Sequence, residues 1–358
     1  MDKFAFLIHP IYFDDYYRKL PFLKKIPEKF VEEISRRMPP VVISNITGVR
    51  SRFNECAGQF IACPLTSKQF IELPLEYSYK KIISAARLAE KNGAKIVGLG
   101  AFTSVVGDAG VTIAKNVGIA VTTGNSYTIY AALEGAKQAA ELMEIEWSQA
   151  EVTVLGATGS IGSVCARWLV NEVGKLNLVA RDQNELNDLV DIIKKETKGA
   201  KVMIQDTRQA MRKADVVVAV SASLEHQIFP EDLKPGAVVC DVARPRDVSP
   251  RVAKERNDVL VIEGGVINVP EGTEFNFDFG FPPGKSYACM AETMILALEK
   301  RFESYSLGRD IELEKVREIG ELAKKHGFEL DGFRSFERNI SSEEINRIKE
   351  NSKKAKRG

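Results

Sequence analysis

One cysteine stands where a helix begins. Pro282-Pro283-Gly284-Lys285-Ser286 reads as a turn, and Tyr287 to Lys300 reads as a strong helix with Ser286 as its N-cap. Cys289 then falls in the first turn, near N–H groups without intrahelical partners and the positive end of the helix dipole. Its thiolate is favoured there, and Lys285 would add to the effect. Cys289 is the candidate nucleophile; the plain alternative is a small buried packing residue. The other four cysteines lack such a setting. Cys165 lies inside a helix, Cys240 inside a buried strand, and Cys56 and Cys63 flank an early segment of ambiguous type. Glu292, one turn after Cys289, is suited to orient groups in a site, or to be an ordinary salt-bridged helix acid. Asn125 opens another helix and is suited to cap it or to donate to an oxyanion. Tyr127 reads as a donor or a packed helix residue, and His326 carries no assignment.

The second signal is a glycine loop, Gly156-Ala157-Thr158-Gly159-Ser160-Ile161-Gly162, between a buried strand (Val152 to Leu155) and a helix running through Val170. Gly156 permits the tight exit from the strand, Gly159 lets the backbone approach a pyrophosphate, and Gly162 lets the helix pack near the sheet. The helix N-terminus offers free N–H donors to phosphates, so Thr158, Ser160 and Ile161 belong to the same cradle. The next strand ends in Arg181-Asp182. Arg181 is suited to a 2′-phosphate, which favours NADPH, while Asp182 keeps NADH open. Ser221, in Ser221-Ala222-Ser223, and Gly264-Gly265 end later strands and are expected to line the cofactor pocket.

These residues need elements to hold them. Strand and helix alternate from Ile96 onward, which indicates α/β architecture. The expected organisation is an N-terminal α/β substrate domain over 1–148 and a Rossmann-type NADP-binding domain over 149–282. Helices over 283–335 carry Cys289 and pack back at the interface, and an extension over 336–358 ends in a frayed basic tail. Val41-Val42-Ile43 reads as a short strand followed by a turn at Ser44 to Gly48. The chain has 358 residues, 44% hydrophobic, with 50 Lys+Arg against 49 Asp+Glu. That excludes disorder across the chain and any global attraction to nucleic acid. There is no apolar run long enough to span a membrane, and the start has too short an apolar run for a signal peptide. Five scattered cysteines and three histidines give no disulfide framework and no zinc spacing. A cytoplasmic protein without a metal is expected.

Taken in order, further residues resemble a known family. Ala288-Cys289-Met290-Ala291-Glu292-Thr293-Met294, Tyr305-Ser306-Leu307-Gly308-Arg309, Ile319-Gly320 and Lys325-His326-Gly327-Phe328 are similar to the C-terminal region of the long-chain fatty acyl-ACP reductases. Leu99-Gly100-Ala101-Phe102-Thr103-Ser104, Thr122-Thr123-Gly124-Asn125 and the glycine loop match upstream in the same order. The resemblance runs from about residue 40 to 330. It implies reduction of a long-chain acyl thioester to a fatty aldehyde by NADPH. In that reading Cys289 carries the acyl group as a thioester, and the glycine loop and Arg181 bind the cofactor. Where the family pattern has a histidine, this chain has Tyr127.

The resemblance also implies an acidic acyl carrier protein as donor, with acyl-CoA as the other carrier, and a downstream enzyme that uses the aldehyde. The basic stretch Arg18-Lys19, Lys24-Lys25, Lys29 and Arg36-Arg37 could dock the carrier or be a solvated face. Release of an apolar product leaves room for peripheral membrane contact, although no amphipathic anchor stands out. Two rival readings stay open: a shikimate-dehydrogenase-like enzyme that uses the same glycine loop, and a non-catalytic NADP-binding sensor or carrier-protein partner.

Overall fold

The computed structural model describes residues 1–11, 21–197, 201–221, 223, 225–243, 245–264, 266–336 and 338–357. Gly265, Ala222, Arg18 and Lys19, named above, lie outside the described residues. The chain forms two compact units. The first comprises Met1–Tyr127, Ile267–Asp310 and Glu318–Glu329, and the second Thr128–Val266, Ile311–Arg317 and Leu330–Gly358.

The first unit is built on a five-stranded sheet in the order β2-β3-β1-β4-β5. Its strands are β1 (Asp2–Ile8), β2 (Val41–Arg50), β3 (Glu55–Ala62), β4 (Ile96–Leu99) and β5 (Ala120–Thr122). β2 is antiparallel to β3, and the other pairings are parallel. The sequence pattern promised only a short strand and a turn where β2 runs unbroken. Its register slips between Val42 and Ser44 and between Ile46 and Val49. These bulges absorb the turn-prone residues at the sheet edge, and Gly48 takes the positive φ (+72°) that one of them needs. The core under the sheet packs Ala5, Leu7, Ile61 and Val97 against Ile82, Ala85 and Ala86 of a helix over Leu75–Lys91. A helix over Glu28–Arg37 buries Val31 and leaves Phe30 and Ile34 exposed.

The second unit holds a six-stranded sheet in the order β11-β10-β9-β6-β7-β8. The strands are β6 (Glu151–Leu155), β7 (Lys175–Val179), β8 (Val202–Ile204), β9 (Val216–Ala219), β10 (Val238–Asp241) and β11 (Leu260–Ile262). All its pairings are parallel. Read from either side this is the doubly wound order of a Rossmann-type dinucleotide-binding fold, with the reversal between β6 and β9. The strands are almost wholly apolar because helices cover both faces.

The division falls after Tyr127, not after residue 148, and it cuts a helix over Asn125–Leu142. Ile129, Ala132, Leu133, Ala136, Ala139 and Ala140 join the core of the second unit, so most of that helix belongs there by packing. The extension forms a helix over Ser342–Ala355 with Ser341 as N-cap, and this helix takes in Lys353 and Lys354 of the expected frayed tail. Ile345 enters the core of the second unit, and Lys349 and Lys353 pair with Glu144. Lys349, Lys353 and Lys354 therefore sit on a docked amphipathic helix.

Candidate functional site

Cys289 lies in the first turn of a helix over Ala288–Leu298 whose N-cap is Tyr287, not Ser286. Ser286 is taken by a short strand that pairs with Ile267. Cys289 is partly exposed, whereas Cys56, Cys63, Cys165 and Cys240 are buried. Burial pushes the thiols of Cys56 and Cys63 up to about 12 and that of Cys165 higher still. Those three thiols stay protonated and unreactive at neutral pH. Lys285 donates to Asn268 Oδ1 (3.0 Å).

The Cys289 helix lies on β1 and β4, and Gly98 in β4 makes room for it. A β-carbon on Gly98 would fall 2.0 Å from Thr293 Oγ1. The start of the helix meets a second helix start. Gly124, just before the Asn125–Leu142 helix, has φ +75°, and a β-carbon there would fall 2.3 Å from Cys289 Cβ. Two helix N-termini therefore converge beside the thiol, each with about half a positive charge.

A glycine cannot cap a helix with a side chain, so the cap comes from elsewhere. Glu292, on the Cys289 helix and fully buried, accepts from the Tyr127 N–H (2.7 Å), the Ser306 hydroxyl (2.8 Å) and the Thr122 hydroxyl. Ser306 Oγ in turn accepts from the Ser126 N–H (3.2 Å). Burial pushes the Glu292 carboxyl above its usual range, and donors from Thr122, Tyr127, Ser306 and Gly124 pull it back. The Tyr127 N–H and the two hydroxyls all spend their protons on this one carboxyl, which ties the start of the Asn125–Leu142 helix to the Cys289 helix.

Asn125 is 4% exposed, and its Nδ2 has no hydrogen-bond partner. It follows Gly124 directly in the chain, so a buried amide donor without a partner belongs to the residue next to the one that touches Cys289. Tyr127 is buried and contributes its backbone N–H to Glu292. His326 is placed at the far end of the Cys289 helix. It contacts Glu299 Oε2 (2.7 Å) and Ser51 Oγ (2.9 Å), and Glu299 is the C-cap. At ~1.5 Å per residue that is about 15 Å from Cys289, so His326 closes the helix and takes no part beside the thiol.

An aromatic row escaped the sequence reading. Phe275, Phe277, Phe279 and Phe281 alternate along the chain. Ring centroids step from Phe60 to Phe279 (5.4 Å), to Phe281 (5.7 Å) and to Tyr287 (4.3 Å). The row ends two residues before Cys289. The spacing of two was the available signal, masked by the intervening Asn, Asp and Gly.

In the second unit the glycine loop has the geometry that its spacing implies. Gly156 takes φ +85°, and a β-carbon there would meet Ser221 N and Cα at 2.9 Å. A β-carbon on Gly162 would fall 2.1 Å from Gly156 O, so the helix start packs on the loop. Gly159 has only Gly156 O near (3.3 Å) and stays open, as an approaching pyrophosphate requires. The helix over Ser160–Leu169 follows directly, so Thr158, Ser160 and Ile161 sit at its start. A dinucleotide phosphate fits this loop.

Arg181 is exposed. Asp182 is committed as N-cap of the helix over Gln183–Glu196, accepting from the N–H groups of Asn184 (2.8 Å) and Glu185 (3.2 Å). Gly264 takes φ +64° just after β11. Ser221 is held by Asp247, which the sequence reading missed. Among the described residues no cluster of His, Cys, Asp and Glu could hold a metal ion, and no helix is long and apolar enough to cross a membrane.

A family model described as Shikimate / quinate 5-dehydrogenase matches residues 136–263. The chain is 30% identical over 357 residues to the aminotransferase PigE of Serratia sp. (strain ATCC 39006), covering 97% of this chain and 42% of that protein. It thus spans less than half the length of that relative. It is 29% identical over 306 residues to a long-chain acyl-[acyl-carrier-protein] reductase of Synechococcus elongatus, covering 81% of this chain and 87% of that protein. A glutamyl-tRNA reductase of Methanococcus maripaludis is 31% identical over 122 residues, 34% of this chain and 31% of that protein. The family match holds the glycine loop and all six strands of the second sheet. The family match and the likenesses to two reductases agree with the dinucleotide-binding fold of the second unit.

Proposed function

We propose that the protein reduces a long-chain acyl thioester to a fatty aldehyde with NADPH, through an acyl group held on Cys289. The observation that carries this reading is the convergence of two helix N-termini on a partly exposed cysteine, with the buried unpartnered amide of Asn125 one residue along the chain from the contact. A thiolate there is stabilised by both helix ends. Its sulfur attacks the thioester carbonyl carbon, and the carbonyl electrons move to oxygen. The Nδ2 of Asn125 is the donor for that oxyanion. Collapse breaks the bond to the carrier sulfur, which leaves as a thiol after taking a proton, and the acyl group stays on Cys289 as a thioester. The glycine loop would hold NADPH, whose chemistry would be to supply the hydride that reduces such a thioester to the aldehyde and returns Cys289 to a thiolate.

The aromatic row from Phe60 to Tyr287 supports an apolar acyl chain over a small polar substrate. Acyl carrier protein is the proposed donor, supported by the likeness to the cyanobacterial reductase, with acyl-CoA as the alternative carrier. The match to PigE supports a carbonyl product, since aminotransferases consume carbonyl compounds; a downstream aldehyde-using enzyme is the corresponding partner. Arg181 supports NADPH over NADH, because Asp182 is already occupied as a cap.

Turnover assays with acyl-ACP or acyl-CoA and NADPH test the reading. Wild type is expected to form aldehyde and Cys289→Ala none. Equal aldehyde formation by the two proteins would remove the covalent mechanism. Cofactor binding without turnover of any acyl thioester would favour a sensor.

A further inference from the structure

The glycine loop faces a residue that the nucleotide fingerprint does not include. In an open α/β sheet the ligand crevice opens at the carboxyl ends of the strands where the order reverses. Here that place lies between β6 and β9. β9 continues past Ala219: the Val220 N–H donates to Leu155 O (3.0 Å), and Ser221 then closes on Gly156. Ser221 stays partly exposed.

Both donors of Ser221 are committed to one carboxylate. Its N–H donates to Asp247 Oδ2 (3.0 Å) and its hydroxyl to Asp247 Oδ1. A hydroxyl whose proton is engaged has only lone pairs to offer a ligand. Asp247 is itself fixed. Asp241 accepts from the Asp247 N–H (3.3 Å) and the Val248 N–H (2.9 Å), and Asp247 O accepts from the N–H groups of Gln227 (2.7 Å) and Ile228 (3.0 Å). Asp241 and Asp247 are both fully buried. Burial pushes the Asp247 carboxyl up to about 6; the Ser221 hydrogen bonds and the charge of His226 oppose the rise, and the charge of Asp241 adds to it. The ring of His226 is tied to Arg246 O (3.1 Å).

We infer, resting on the dinucleotide reading of the glycine loop, that Asp247 is a positioning residue that makes Ser221 Oγ an obligate acceptor for a hydrogen-bond donor of the bound dinucleotide. The donor is a ribose hydroxyl or the carboxamide NH2 of the nicotinamide. Protonation of Asp247 frees Ser221 from this role, so cofactor affinity is tied to one buried acid in the wall of the crevice.

The test is calorimetric titration of the full chain with NADPH and with 2′,5′-ADP, between pH 5 and 8. The proteins are wild type, Ser221→Ala, Ser221→Thr and Asp247→Asn. Ser221→Ala is expected to bind NADPH about tenfold more weakly at pH 7.5, the loss of one hydrogen bond, whereas Ser221→Thr keeps the hydroxyl and the affinity. Wild-type affinity falls more steeply than that of Asp247→Asn as pH drops through about 6; titration of the cofactor phosphate is common to both and cancels. A parallel loss for 2′,5′-ADP assigns the donor to the adenosine ribose, and an unchanged fragment assigns it to the nicotinamide half. If Ser221→Ala binds NADPH as wild type does, or if Asp247→Asn keeps the wild-type pH profile, the inference is overturned. If wild type binds neither ligand, the dinucleotide reading itself fails.

Discussion

Gly124 lies directly against Cys289: a β-carbon on Gly124 would fall 2.3 Å from Cys289 Cβ and 2.4 Å from its Cα. Only a residue without a side chain lets the two helix starts meet. Gly124→Ala must shift one helix and hold an L residue at φ +75°. It is expected to destabilise the protein by about 2 kcal/mol or more and to abolish turnover; thermal unfolding and aldehyde assays check this.

Asn125 offers the opposite separation of stability from activity. Its Nδ2 is buried and unpartnered, so removing it relieves an unsatisfied donor. Asn125→Ala is expected to leave Tm nearly unchanged while kcat falls about 100-fold, the typical loss of one oxyanion donor. A KM change with unaltered kcat would assign Asn125 to ground-state binding instead.

Glu292 holds the other side of the same junction. Glu292→Ala strands the Thr122 and Ser306 hydroxyls and the Tyr127 N–H together. A loss of about 1–3 kcal/mol for each buried donor left unpaired is expected. Glu292→Gln keeps the volume but turns one amide donor toward donors, and should lie between wild type and Ala in urea unfolding.

Arg181 and Asp182 are neighbours with different work. Arg181→Ala should lower the preference for NADPH over NADH in kcat/KM by about 10- to 100-fold, the scale of a charge-assisted hydrogen bond. Asp182→Ala should leave that preference intact and weaken the helix by about 1 kcal/mol through the lost cap.

Asp247 also marks stability. Its pKa in the fold is raised to about 6, above the ordinary carboxylate range. A raised acid contributes stability that is fully present below its unfolded pKa and is lost as pH rises through about 6. A rise of this size amounts to about 3 kcal/mol at most. Asp247→Asn cannot ionise, so its stability relative to wild type is expected to improve from about pH 4 to about pH 6 and to level off above that. A pH-independent difference in unfolding free energy would show that the acid is not strained.

Much of the second unit was legible because its signals are local. A strand, three glycines at fixed spacing and a helix start need no distant partner to be read. The first unit hid more. The turn residues after Ile43 pointed away from a long strand, because bulges at a sheet edge absorb them without ending the pairing. The basic run at the C-terminus resembled a loose end, because Glu144, which pairs with Lys349 and Lys353, is distant in sequence. That Cys289 falls in the first turn of a helix was legible from the residues around it. Its relation to Gly124 was not, since no spacing in the chain shows that residues 124 and 289 touch. Glu292 and Asp247 were the hardest, as a lone acid is ordinarily solvated and only the fold supplies the donors that keep one buried.

The central claim is that Cys289 takes an acyl group. Intact-mass spectrometry of the protein mixed with acyl-ACP or acyl-CoA, without NADPH, tests it most directly. The account predicts one acyl adduct that maps to Cys289, is absent from Cys289→Ala and disappears when NADPH is added. A protein that forms aldehyde on adding NADPH, yet never carries an acyl group on Cys289, would contradict it.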